Sequence, residues 1–311
     1  MCGEGLVAWE LPSNHCNLWQ QIVGMFGSTY AAAMTSLPAP RNFSSAAAWG
    51  AAYDHGAHVV EWTPTGHSPV LWMSARSSFD SAAPIRGGIP VCFPWFGTGR
   101  DGKQAPAHGF ARLSSWQLLD EERSDTGTRA NYALDITPSV SFPHNVHAEL
   151  LIDFGSDLGI EFSVHNFGEH EFSFEEALHT YLTVGDITQL RITGLDGTTY
   201  LDKAPGAAPE PVTQAGDVTF SGETDRVYSS SADVTIVDPV LGRSITITRS
   251  NSANLVVWNP WVAKSAAMPD FGDEEWPGMV CVEGANVLDH AIVLQPGDSH
   301  TMTYGLRVGE L

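Results

Sequence analysis

Residues 172–183 read FSFEEALHTYLT, and their apolar and polar side chains alternate with a period close to two. In an extended strand that period sends neighbouring side chains to opposite faces. Phe172, Phe174, Leu178 and Leu182 then share one face, while Ser173, Glu175, His179, Tyr181 and Thr183 share the other. The first face suits a core. The second can line a polar cleft or meet solvent, and the strand alone does not choose between them.

Outward from this stretch the same signal recurs. HVVEW (58–62), VLWM (70–73), YALDIT (132–137), ELLIDF (149–154), GIEFSVH (159–165), DVTIV (233–237), SITITR (244–249), NLVVW (254–258) and TMTYGLRV (301–308) are short, rich in β-branched and aromatic residues, and bounded by Gly, Pro, Asn or Asp. Turn pairs such as Asp196-Gly197 and Pro296-Gly297 separate them. Long amphipathic helical patterns and fixed-period repeats are not seen. The expected fold is all-β, a mainly antiparallel β-sandwich with one domain over residues 43–311.

Residues 1–42 read as an N-terminal extension, with LPAPRN (37–42) as a linker. The apolar run around Ile22 to Met34 is interrupted by Gly24, Gly27, Ser28 and Thr29 and preceded by Glu4 and Glu10. It fits neither a signal peptide nor a membrane span. A short docking helix, a frayed tail, or initiation near Met25 or Met34 all remain open.

The chain has 311 residues, 43% apolar, with 10 Trp and 14 Phe, enough to bury a sizeable core. A net charge of −21 repels nucleic acid and anionic lipid. A small anion still binds where a few arginines converge, because distant charge is screened beyond about 8–10 Å. Cys2, Cys16, Cys92 and Cys281 form no C-x-x-C pair and read as reduced thiols of a cytoplasmic protein. The H-x-x-H pairs His55/His58 and His144/His147 lack a third ligand at a recognisable spacing and read as solvent-facing histidines, so no metal is expected.

RGGIPVCFPWFG (86–97) is a rigid aromatic loop followed by PAHGFAR (106–112), with Arg86, His108 and Arg112 bracketing a pair of loops that carry little other charge. Together with ALHTYL (177–182), YLDK (200–203), TDRVY (224–228), VVWNPW (256–261) and VCVEGANV (280–287), in that order, this set resembles the hexose-6-phosphate mutarotases. These are the glucose-6-phosphate 1-epimerase branch of the aldose 1-epimerase superfamily.

The resemblance implies a galactose-mutarotase-like supersandwich with an open cleft. It also implies an isomerase that interconverts α and β anomers without a cofactor. It assigns His179 as the acid toward the ring oxygen and Glu283 as the base toward the anomeric hydroxyl. Arg86 and Arg112 match substrate and phosphate ligands, Asp202 a carboxylate for sugar hydroxyls, and His108 a position that orients the sugar. Where some relatives carry Gln before that histidine, this chain has Ala107.

Opening a hemiacetal needs one proton removed and one delivered, expected here from opposite sides of the ring. His108 is the alternative acid. Trp95, Trp258 and Trp261 stack on sugar or fill the core, Lys264 is a further phosphate candidate, and the acidic residues 270–275 read as a solvated loop at the rim. The expected partner is a small-molecule sugar phosphate bound by a monomer, with no nucleic-acid or membrane partner. The alternatives are an epimerase of unphosphorylated aldoses, which needs no convergent positive charge, and a non-catalytic carbohydrate-binding module, which needs no acid beside a base.

Overall fold

The strand Met279–Asn286 is buried along its whole length and lies inside an eight-stranded antiparallel sheet. On one side it pairs with Asn254–Asn259, followed outward by Thr224–Ser229, Thr199–Asp202 and Val212–Thr213. On the other it pairs with Glu176–Leu178, which meets Val91–Cys92, and with Tyr181–Thr183. The structure, a computed structural model, describes residues 36–311, so the expectations placed on residues 1–35, including Cys2 and Cys16, lie outside it.

A second eight-stranded sheet runs Arg191–Thr193, Val234–Asp238, Arg243–Ser250, Ser299–Glu310, Asp157–Asn166, Val146–Gly155, Gly127–Ile136 and Gln117–Ser124. Its central strands alternate: in Val146–Gly155 every second residue is buried, as expected for a sheet with one covered face. The two sheets close over a common core. Val280, Val282, Leu255, Val257, Leu178 and Leu182 come from the first, and Ile152, Phe154, Ile160, Phe162, Met302 and Leu306 from the second. Tyr304 ties the layers by donating its hydroxyl to the Val282 carbonyl at 2.7 Å. The antiparallel sandwich is thus the observed architecture, and residues Leu37–Leu311 form one unit.

Three details differ from the sequence reading. Arg41 and Asn42 belong to the first strand, Arg41–Ser44, and not to a linker. Residues 172–183 form three short strands, Phe172–Phe174, Glu176–Leu178 and Tyr181–Thr183. The first pairs with Ile292–Leu294 instead of joining the large sheet. Between them Glu175 is pulled inward, its carboxylate accepting the Phe96 N–H at 3.0 Å and the Leu288 N–H at 2.7 Å. Lastly, His55 and His58 are buried, and His58 Nε2 bonds the Gly87 carbonyl at 2.7 Å.

Both faces of Met279–Asn286 are covered, which is why it reads as a continuous apolar run. Val280 and Val282 enter the inter-sheet core, while Met279 and Cys281 pack outward under Trp72, Tyr181, Trp258 and Phe271. Glu283 follows on that outer face. Among the described residues no helix is long and apolar enough to cross a membrane.

Candidate active site

Leu178 pairs with Gly284 and Tyr181 with Cys281, so the two short strands keep one continuous register along Met279–Asn286. His179 and Thr180 occupy the gap. There the ladder is half kept: Val282 N–H donates to Thr180 O at 3.2 Å and His179 N–H to Pro90 O at 3.0 Å, while Thr180 N–H turns back to Leu178 O at 2.8 Å. Carried across that gap, the register sets His179 opposite Glu283. Directly opposed residues point to the same face, and His179 Nδ1 lies 3.3 Å from Glu283 Oε1. The contact lacks hydrogen-bond alignment, and both Glu283 oxygens and His179 Nδ1 are enclosed without a partner.

This pair forms the floor of a cavity of about 380 Å³. Its wall includes Arg86, Phe96, His108, Lys203, Asp225, Trp258 and Lys264. That volume suits a single sugar ring with one substituent. A hollow of similar size, about 330 Å³ beside Glu122, Arg129 and Asp157, has no such acid and base pair.

Burial pushes Glu283 well above the usual carboxylate range, and Asp225 adds to the effect. Burial also holds His179 well below 6.5, helped by His108, Arg86 and Arg112. Desolvation outweighs the attraction that a 3.3 Å approach would give two ions. Burial therefore favours neutral imidazole beside protonated carboxyl, one proton shared by two groups. Two such groups can exchange protons with two oxygens on one carbon. A hemiacetal carbon carries that arrangement, since C1 holds both the ring oxygen and the hydroxyl.

A sequence model of the family described as aldose 1-epimerase matches residues 51–307. The chain belongs to the aldose 1-epimerase family. Within it, the chain is 35% identical over 258 residues to an Escherichia coli K12 protein named "Putative glucose-6-phosphate 1-epimerase", covering 82% of this chain and 85% of the relative. The crystal structure of a "putative mutarotase (YeaD)" from Salmonella typhimurium superposes with a TM-score of 0.81 at 28% identity, over 92% of this chain and 100% of that one. A galactose mutarotase-like protein from Lactobacillus casei shares the fold alone, with a TM-score of 0.68 at 14% identity over 87% and 100% of the two chains.

The expected site residues of this aldose 1-epimerase family member separate into three groups. His179, Glu283, Arg86 and His108 meet at the cavity. Arg86 arrives already engaged, with Nη2 3.0 Å from Asp270 and Nη1 donating to the Tyr181 hydroxyl at 2.9 Å. The 270–275 run is therefore not a plain solvated loop: Glu275 also accepts the Ser74 hydroxyl at 2.9 Å and the Ala75 N–H at 2.9 Å. His108 takes a left-handed backbone, φ 63°, and its Nδ1 lies 3.4 Å from the Gly97 N–H and from Cys92 Sγ. Packing lowers it to about 3, with Arg112, Lys203 and Arg86 adding to the effect. With Nδ1 accepting, its proton sits on Nε2, where it can be donated to a sugar oxygen.

Arg112 is buried beside the wall and not among the lining residues; its Nη2 donates to the Ala107 carbonyl at 2.7 Å and so fixes the His108 loop. Asp202 lies off the cavity. It pairs across the sheet with Arg226, which pairs with Val257 on the core side, and its carboxylate meets Arg226 Nε at 3.5 Å. Two residues of the quoted motifs take the positions that reasoning from sequence missed: Asp225 of TDRVY and Lys203 of YLDK line the wall. Lys264 is present there too, 2.8 Å from Glu223. Of the tryptophans, Trp258 lines the cavity, Trp95 packs on Phe110, and Trp261 packs tilted against Trp276 with ring centres 4.3 Å apart.

Proposed function

We propose that the chain interconverts the α and β anomers of hexose 6-phosphates, glucose 6-phosphate first, using His179 and Glu283 as the proton-exchanging pair. The observation that carries this reading is the 3.3 Å approach of His179 and Glu283 on the floor of a cavity whose wall holds Arg86, Lys203 and Lys264. A protein of net charge −21 has little reason to gather three cations around a neutral sugar.

In ring opening, the sugar's C1 hydroxyl and ring oxygen supply the hydrogen bonds that Glu283 and His179 otherwise lack, so the shared proton passes from Glu283 to His179; ionised Glu283 then takes the proton of the C1 hydroxyl while protonated His179 gives one to the ring oxygen. The pair is then left as neutral imidazole and protonated carboxyl. After rotation about C1–C2, the same pair runs in reverse: His179 takes the proton of the C5 hydroxyl as it attacks, and Glu283 returns one to the new C1 oxygen. The groups stand side by side and not across the ring, which the shared carbon of the two oxygens makes sufficient. Protons and charge balance within the pair, so no other acid or base is needed.

Anomer exchange measured by NMR on glucose 6-phosphate and on glucose tests the proposal. His179→Asn and Glu283→Gln should each lose about 10²- to 10⁴-fold in rate, and the double variant little more than either alone. Wild-type exchange in either folded variant would overturn the assignment. Arg86 and Lys264 already have carboxylate partners, which favours the unphosphorylated aldose as the second reading. Equal kcat/KM for glucose and glucose 6-phosphate would select it.

A further inference from the structure

One thiol lies beneath the catalytic floor with no part in the proton chemistry. Cys281 precedes Glu283 by two residues on the same strand face, and is fully buried where His179 and Glu283 open to the cavity. A nitrogen of His179, the Cys281 sulfur and a Glu283 oxygen all lie within 4.8 Å of one another. The Glu283 oxygens and His179 Nδ1 have no hydrogen-bond partner.

We infer that His179, Cys281 and Glu283 form a binding site for a borderline-soft divalent cation of the Zn2+ class, and that its occupancy excludes the sugar. Zn2+ bonds of about 2.0–2.3 Å place tetrahedral ligand atoms roughly 3.3–3.8 Å apart, so modest side-chain rotation closes the set. Three protein ligands of N, S and O type leave one position open toward the cavity, which is also the route of entry. Mg2+ and Ca2+ prefer six or more oxygens and are not accommodated. The cation replaces the thiol proton and takes the lone pairs of His179 and Glu283. The exchange reaction needs those lone pairs free, so the metal inhibits and does not assist.

Only the inhibition rests on the catalytic reading; binding itself does not. The test uses the full chain, stripped with a chelator and titrated with Zn2+ and, as a spectroscopic probe, Co2+. One Zn2+ should bind per chain, Co2+ should show a thiolate charge-transfer band, and glucose 6-phosphate should displace both. Cys281→Ser and Cys281→Ala should weaken Zn2+ by about tenfold or more and abolish the band. Their metal-free anomer exchange should stay within about twofold of wild type, which also reports folding. The band should survive Cys2→Ser, Cys16→Ser and Cys92→Ser. No Zn2+ binding by the wild type, or unchanged affinity in Cys281→Ser, would overturn the site. Zn2+ bound with the expected ligands but without effect on exchange would uphold the site and remove the catalytic reading.

Discussion

Asp225 and Asp202 sit on neighbouring strands of one sheet yet present their carboxylates to opposite faces. Asp225 pairs with Trp258, and Trp258 with Cys281, along the cavity side, whereas Asp202 pairs with Arg226 and, through it, with Val257 on the core side. Asp225→Asn should therefore lower kcat/KM by about 10- to 100-fold, the worth of a charged hydrogen bond to sugar of roughly 1.5–3 kcal/mol. Asp202→Asn should change it less than about twofold while lowering Tm slightly, because its half-buried ion pair with Arg226 is long, at 3.5 Å, and lies on the core side of the sheet, away from the cavity. Steady-state exchange kinetics on both variants check the pair.

Lys203 and Arg112 should differ in the same spirit. Lys203 is exposed at the cavity, over the Phe96 ring at 5.3 Å, and among the described residues it has no ion-pair partner. Lys203→Ala should raise KM for glucose 6-phosphate by about tenfold or more and leave glucose nearly unchanged. Arg112→Ala should depress both substrates alike and cost about 1.5–3 kcal/mol in stability, since its bond to Ala107 holds the His108 loop. Comparing substrates for each variant, with thermal melts alongside, separates recognition from scaffolding.

Acid should destabilise the protein through His58. Burial holds this imidazole at about 3, against 6.5 when exposed. As pH falls below 6.5 the unfolded chain takes up a proton that the folded chain refuses until about pH 3. The unfolded state thus binds more protons, and stability drops with falling pH by up to about 1.4 kcal/mol per unit in that window. Glu283, with its raised value, works in the opposite sense, favouring the fold at low pH. His58→Gln isolates the histidine contribution: denaturant melts from pH 7 to pH 4 should show a flatter dependence than wild type.

Gly109→Ala should unfold or distort the cavity wall. Gly109 has φ 73°, and a Cβ there would meet the Phe93 carbonyl oxygen at 1.9 Å. Left-handed strain alone costs about 1–3 kcal/mol. A melt lowered by that much or more, with exchange reduced through the adjacent His108, is the expected result.

The strand content was legible in the sequence because alternation is local, whereas His179 and Glu283 were singled out by the family resemblance and their meeting rests on the register of Glu176–Leu178 and Tyr181–Thr183 against Met279–Asn286. Alternation shows which residues of one strand share a face, and the ALHTYL and VCVEGANV motifs carry His179 and Glu283. What was not legible depends on pairing between distant segments. YLDK and TDRVY each offer one aspartate at a strand end, and only their register against Asn254–Asn259 tells which reaches the cavity. Arg112 likewise looks like a ligand in isolation, because the carbonyl that it holds belongs to a loop whose path no periodicity encodes. The acidic residues 270–275 read as solvated since their partners, Arg86, Arg76 and Ser74, lie nearly two hundred positions earlier.

The meeting of His179 and Glu283 through one uninterrupted register across Glu176–Leu178 and Tyr181–Thr183 also sets a rule for length variation. Adding or removing a single residue between Ala177 and His179 reverses the parity of the segment and swings the imidazole into the inter-sheet core. The apolar pattern around it would still look like a strand, and the fold could persist without its chemistry. Insertions should accordingly be absent from this segment in working relatives and gather instead in peripheral connections such as 205–211, where every residue is exposed and no buried face depends on odd or even count.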